Sequence, residues 1–280
     1  GCDGAPELVR RGARAAAVDG LRCADLGVRC AAAATLAGLT RDDELARRCC
    51  STEDARAALV DALERCENKA RTPRLDVALG NAQIADAEAW ADARAHEATL
   101  LLVAANLAPA WPAGGDDRAR LAKGLFSILD ATRRRSTGLD KAREQYLNDG
   151  DAQPRVAKLA VALHDSALRE ALHEVAAAGA LLAHALAAAG GGRGEARLPE
   201  LLAALAWSED AEAALHANFA AHLLGASSDD LPEPDLGVAS GLDARQADLL
   251  HRCLDALAPE PLRLASGWGT ARRRERHSRA

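Results

Sequence analysis

Leucine and alanine recur every three or four residues along most of this chain, and short polar stretches interrupt the recurrence at intervals. Apolar residues at i, i+3, i+4 and i+7 line one face of an α-helix. Six such segments stand out: residues 28–39, 73–84, 118–129, 154–163, 197–206 and 245–257. Anchored on Leu36, Leu79, Leu125, Leu159, Leu202 and Leu250, they are spaced 43, 46, 34, 43 and 48 residues apart. Several begin with Pro or Arg, and proline is tolerated in a first helical turn because no helical N–H bond is lost there.

The interruptions recur as well. After residue 39 the chain reads TRDDELARRCCSTEDARAALVDAL, after 163 it reads HDSALREALHEVAAAGALLAHAL, and after 206 it contains SEDAEAALHANFAAHLLGA. Each reads as an Asp/Ser-rich turn followed by further helix, with the Asp and Ser side chains able to cap the next helix. Longer loops are expected at 67–72, 112–117, 148–153, 190–195 and 227–241, where Gly, Pro, Asn and Asp collect.

The expected fold is therefore all-α, built from a helical unit repeated about every 40–47 residues. Composition agrees. Hydrophobic residues are 49% of the chain but aromatics only 2%. Ala and Leu are among the strongest helix formers, and the β-branched and aromatic residues that favour strands are scarce. Residues 1–258 read as one repeat domain and 259–280, ending in an arginine-rich run, as a tail.

These segments resemble armadillo repeats. Ala78-Leu79-Gly80-Asn81 fits the Ala-Leu-x-Asn of that family's third helix. The stretch 164–186, with Gly179 before Ala180-Leu181-Leu182, fits its turn and following aliphatic helix. The resemblance covers roughly residues 8–258 and departs in places: the asparagine position is Gly38, Ser127 and Val161 in other copies, and the 34-residue spacing implies one shortened unit. It implies a right-handed superhelical solenoid of five to six units whose third helices line a concave protein-binding groove. Carried onto this chain, that groove takes in Arg74, Asn81, Arg120, Lys123, Ser127, Arg155 and Lys158. The same residues also fit solvated positions on amphipathic helices.

The expectation for function is a non-catalytic scaffold or adaptor in the cytoplasm or nucleus, of the kind that regulates a small GTPase or a chaperone. It needs no cofactor, and its partner is a protein. The net charge of −6 speaks against a nucleic-acid binder. No charge-free apolar run of about 18 residues is expected, and so no membrane span.

Local motifs change this little. Glu170 and His173 have the E-x-x-H spacing of helical di-iron sites, but the second copy such a site needs is missing. His173, His184, His216 and His222 read as surface or part-buried residues. Cys49-Cys50 reads as structural, with Arg47 and Arg48 exposed. Gly190 to Gly194 reads as a loop, and Arg133 to Arg135 as a solvated helix end. No G-x-S-x-G or comparable nucleophile motif occurs.

The seven cysteines include five between residues 23 and 66. They fit reduced thiols in the cytosol. They also fit a different protein: an extracellular, Ala-rich helical-bundle surface protein or receptor with disulfides among Cys23–Cys66. A helical metal-dependent enzyme is a third alternative.

Overall fold

A computed structural model describes residues 5–41, 44–67, 81–112, 115–148, 155–192 and 195–233. Among these residues the chain is all helical. The helices are α1 (Ala5–Arg10), α2 (Ala13–Leu21), α3 (Leu26–Arg41), α4 (Glu44–Cys50), α5 (Glu53–Glu67), α6 (Asn81–Leu107), α7 (Asp116–Asn148), α8 (Arg155–Ala188), α9 (Leu198–Leu205) and α10 (Ala211–Leu223).

The boundaries follow local chemistry. Pro109 closes α6 by turning it into a 3-10 turn at Ala108–Ala110. The Asp25 carboxylate accepts the Val28 N–H at 2.9 Å and starts α3. Asp210 accepts the Ala213 N–H at 3.0 Å and starts α10. Helix α8 ends where Gly190 adopts φ 76°. There the Gly191 N–H donates to Leu186 at 2.7 Å and the Gly190 N–H to Ala187 at 2.9 Å, the paired bonds of a Schellman cap.

Two of the expected units have the expected breaks: α3 turns into α4 and α5, and α9 turns into α10 at 206–210. The fourth does not. The turn expected at His164-Asp165-Ser166 lies inside the 34-residue α8, which runs unbroken. These three residues are followed by helix formers, and no Gly or Pro stands near them to stop the helix. The shortened unit expected around 129–151 is likewise continuous helix up to Asn148 in the 33-residue α7. The repeat segment at 245–257 and the boundary at 258 lie outside the described residues.

Helix α8 is the centre of the packing, with α6, α7 and α10 laid against it. Every residue from Ala178 to Ala187 is buried. A helix apolar on all sides belongs inside a core. Contrary to the sequence expectation, residues 167–188 are long and apolar enough to cross a bilayer, yet 72% of that stretch is buried within the protein, as in a core helix. Close packing uses small residues. A Cβ added at Gly179 would lie 2.6 Å from the Leu129 side chain of α7. A smaller apolar cluster of Trp90, Leu139, Leu168, Ala171 and Leu172 joins α6, α7 and α8 elsewhere along their length.

One side chain ties three of these segments together. The buried Arg118 donates to the carbonyls of Ala108, Trp111 and Ala189, the last at 2.8 Å. It thereby satisfies orphan acceptors at the ends of α6 and α8.

Candidate functional site

Between α7, α8 and α9 lies a cavity of about 230 Å³. Helical spacing explains its walls. Leu129, Thr132, Arg133 and Ser136 fall on one face of α7, Leu172 and Ala176 on one face of α8, and Leu201, Ala204 and Leu205 on one face of α9. The floor is apolar, with Leu129, Leu172 and Leu201 buried. The rim is polar. Arg133, Thr137 and His173 border it on the α7 and α8 sides, and Ser208, Glu209 and Asp210 form the opposite lip.

Several rim groups are already engaged. The Thr132 hydroxyl donates to the Ile128 carbonyl at 2.8 Å and Thr137 to that of Arg133 at 3.1 Å. Ser208 donates to the Asp210 carbonyl at 3.2 Å, while the Asp210 carboxylate caps α10. Arg133 and Arg134 both pair with Asp130, at 3.0 and 2.6 Å. Next to the lip stands Trp207, 66% exposed, with only its Nε1 tied down, 3.3 Å from the Asp230 carbonyl.

Two buried polar groupings lie elsewhere. On α6, Arg94 pairs with Glu97 while its guanidinium sits 5.8 Å from the Trp90 ring centre. Beside them His96 is buried, and neither ring nitrogen meets a hydrogen-bond partner among the described residues. Burial, with Arg29 and Arg65 adding repulsion, lowers its pKa to about 4. The second grouping joins α8 to α10: His184 and His216 face each other with Nδ1 atoms 2.9 Å apart, and Phe219 stacks on His184. Burial first, and the neighbouring His216 second, hold the His184 pKa well below the usual imidazole value.

The sequence-derived groove residues come together only in part. Arg74 lies outside the described residues. Asn81 opens α6, and Arg155 and Lys158 lie in the first turn of α8; their side chains also lie outside the description. Arg120, Lys123 and Ser127 do share a face of α7, but Arg120 is turned toward α5. It pairs with Glu64 and Asp61 at 2.9 Å each. Those hydrogen bonds, Glu64 first, raise its pKa. Arg120 is thus an interhelical clasp and not an open groove cation. Lys123 is exposed and Ser127 half-buried.

Other expectations are corrected. His184 and His216 are fully buried, neither at the surface nor part-buried. Arg133 to Arg135 stand in the middle of α7 instead of at a helix end, with Arg135 half-buried. Arg47 is half-buried and donates to the Arg41 carbonyl at 3.1 Å. Cys23, Cys30, Cys49, Cys50 and Cys66 are all free thiols. Cys49 and Cys50 are neighbours at the end of α4, where successive side chains diverge by about 100°, and the others sit on separate elements. Burial pushes the Cys50 and Cys66 thiols up to about 11.

Among the described residues, no group of three or more His, Cys, Asp or Glu side chains is placed to hold a metal ion. Compared with protein-family models, curated proteins and solved structures, the chain matches none.

Proposed function

We propose that this chain is a non-catalytic helical scaffold that grips a partner protein, with the α7–α8–α9 cavity as the point of grip. The observation that carries the reading is the cavity itself: an apolar floor and a polar rim, with the exposed Trp207 next in sequence to Ser208 of that rim. At about 230 Å³ it falls below the roughly 300–1,000 Å³ of typical small-molecule sites. That size suits one bulky apolar side chain from another protein. Tryptophan is among the residues enriched at the energetic centres of protein interfaces.

Within this reading, an armadillo-like solenoid regulating a GTPase or chaperone draws support from the short helices α2 to α5 and from α9–α10. The unbroken α7 and α8 weigh against a regular array. Lys123 and Ser127 remain candidates for partner contact on α7. Five free thiols support a reducing compartment, the cytoplasm or nucleus.

The test is photo-crosslinking in cells, with a photoreactive residue at Ala204 on the rim compared with one at the exposed Ala16 of α2. A discrete protein adduct specific to position 204 is expected. No adduct, or the same adducts from both positions, would overturn the reading.

A second reading, the extracellular helical-bundle surface protein, is favoured by one observation: the lengths of α6, α7 and α8, at 27, 33 and 34 residues. Thiol titration in denaturant separates the two. A count near seven supports the intracellular scaffold, and a count near one supports the surface bundle.

A further inference from the structure

The rim of the cavity is electrically lopsided. On the α7 side Arg133 lines the rim, and it and its neighbour Arg134, 60% and 70% exposed at their side chains, share the single carboxylate of Asp130, which is 15% exposed. Two guanidiniums on one carboxylate leave a net positive lip, and each guanidinium has five N–H donors, most of them still available. Nearby, the Ser136 hydroxyl is half-buried at the rim. Across the cavity Asp210 is occupied in capping α10, but Glu209 is exposed and leaves that lip negative. A guest seated in the apolar floor therefore meets positive charge at one side and negative charge at the other.

The walls also restrict the guest's backbone. The three helical walls have their N–H and C=O groups bonded within each helix, and the lip at 208–210 is a tight turn whose Ser208 N–H donates to Leu205, so the site offers no strand edge. An extended guest would find no ladder partners for its own backbone. A helical guest satisfies its backbone internally and presents anchors at i, i+3 and i+4, the helix-in-groove mode.

Resting on the scaffold reading above, we propose that the cavity takes one large aliphatic or aromatic side chain from an amphipathic helix. That helix carries an Asp or Glu within a turn of the anchor, facing Arg133, and a Lys or Arg on the opposite side, facing Glu209. The acidic residue makes a charge-assisted, two-pronged contact with the guanidinium. The anchor supplies the affinity and the charges fix the direction in which the guest helix lies.

The experiment selects a phage-displayed library of helix-forming peptides on the full chain, then re-tests the winners on three variants. Ala176→Phe fills the cavity from its α8 wall. Ala204→Trp covers its mouth from an exposed position and leaves the core untouched. Arg133→Glu reverses the positive lip. Winners are expected to carry a Leu- or Phe-like anchor with an acidic neighbour, and to lose binding on both cavity variants. Changing the anchor to Ala is expected to weaken them by about tenfold or more. On Arg133→Glu, acidic winners weaken, and replacing their Asp or Glu by Lys restores binding.

Winners indifferent to both cavity variants would overturn the cavity assignment and leave the scaffold reading standing on its crosslinking test. Cavity-dependent winners with no acidic preference would overturn the charge assignment alone. No enriched peptide at all, together with no adduct at position 204, would overturn both.

Discussion

Acid should destabilise this protein well before its carboxylates are protonated, because among its buried imidazoles His96 and His184 have depressed pKa values. His96 has its pKa lowered to about 4, and His184 is also depressed. In the unfolded chain both return to about 6.5. The folded state therefore binds fewer protons than the unfolded state below that pH. Stability is complete above pH 6.5 and falls as the pH drops toward the folded values. Each histidine contributes a slope of about 1.4 kcal/mol per pH unit. The pair should cost about 2–3 kcal/mol between pH 6 and pH 5, a large share of the roughly 5–15 kcal/mol that holds a typical domain together. Urea denaturation at half-unit steps from pH 7 to 5 measures this directly. His96→Leu replaces a ring that has no hydrogen-bond partner among the described residues, and it should halve the slope. A stability that stays flat between pH 6 and 5, or a His96→Leu slope equal to that of the unaltered chain, would refute the argument.

Other outcomes follow from the same packing. Arg118→Met should cost about 3 kcal/mol in urea denaturation, since it leaves the buried carbonyls of Ala108, Trp111 and Ala189 without their donor. Glu97→Ala should cost about 3–5 kcal/mol by stranding the Arg94 charge, while Arg94→Leu with Glu97→Leu together should recover most of that loss; a double variant no more stable than Glu97→Ala would contradict the ion-pair account. Gly179→Ala should lower the melting temperature, because the strain of about 1–3 kcal/mol against Leu129 outweighs the gain in helix propensity. Cys50 and Cys66 should react with a thiol reagent at pH 8 far more slowly in the folded protein than in denaturant, which a timed colorimetric assay reads.

The helical class was legible because Ala and Leu settle it locally. So were the loops around 112 and 192, where Pro and Gly act on their own neighbours; the loop expected at 148–153 lies outside the described residues after Asn148. The lengths of α7 and α8 were not. Asp165 and Ser166 are as compatible with the outer face of a long helix as with a turn, and only packing decides between them. The site divides in the same way. Leu129, Leu201 and the 208–210 turn could be placed on their elements from sequence, but nothing local says that α7, α8 and α9 leave a gap between them. Arg120, Lys123 and Ser127 share one face of α7, as their spacing says, but Arg120 is claimed by Glu64 and Asp61 of α5. The spacing Trp90, Arg94, Glu97 was the one available signal for the buried ion pair, since it stacks all three on one helical face.

The fully enclosed stretch of α8 has a consequence for biosynthesis. Its apolar surface must stay covered, yet α10, which covers part of it, ends 35 residues later in the chain. At roughly 5–20 residues per second, translation leaves that surface incomplete for about two to seven seconds. During this interval the segment is long and apolar enough to cross a bilayer. Early docking of α6 and α7, which are made first, is what would keep the nascent chain from being misrouted.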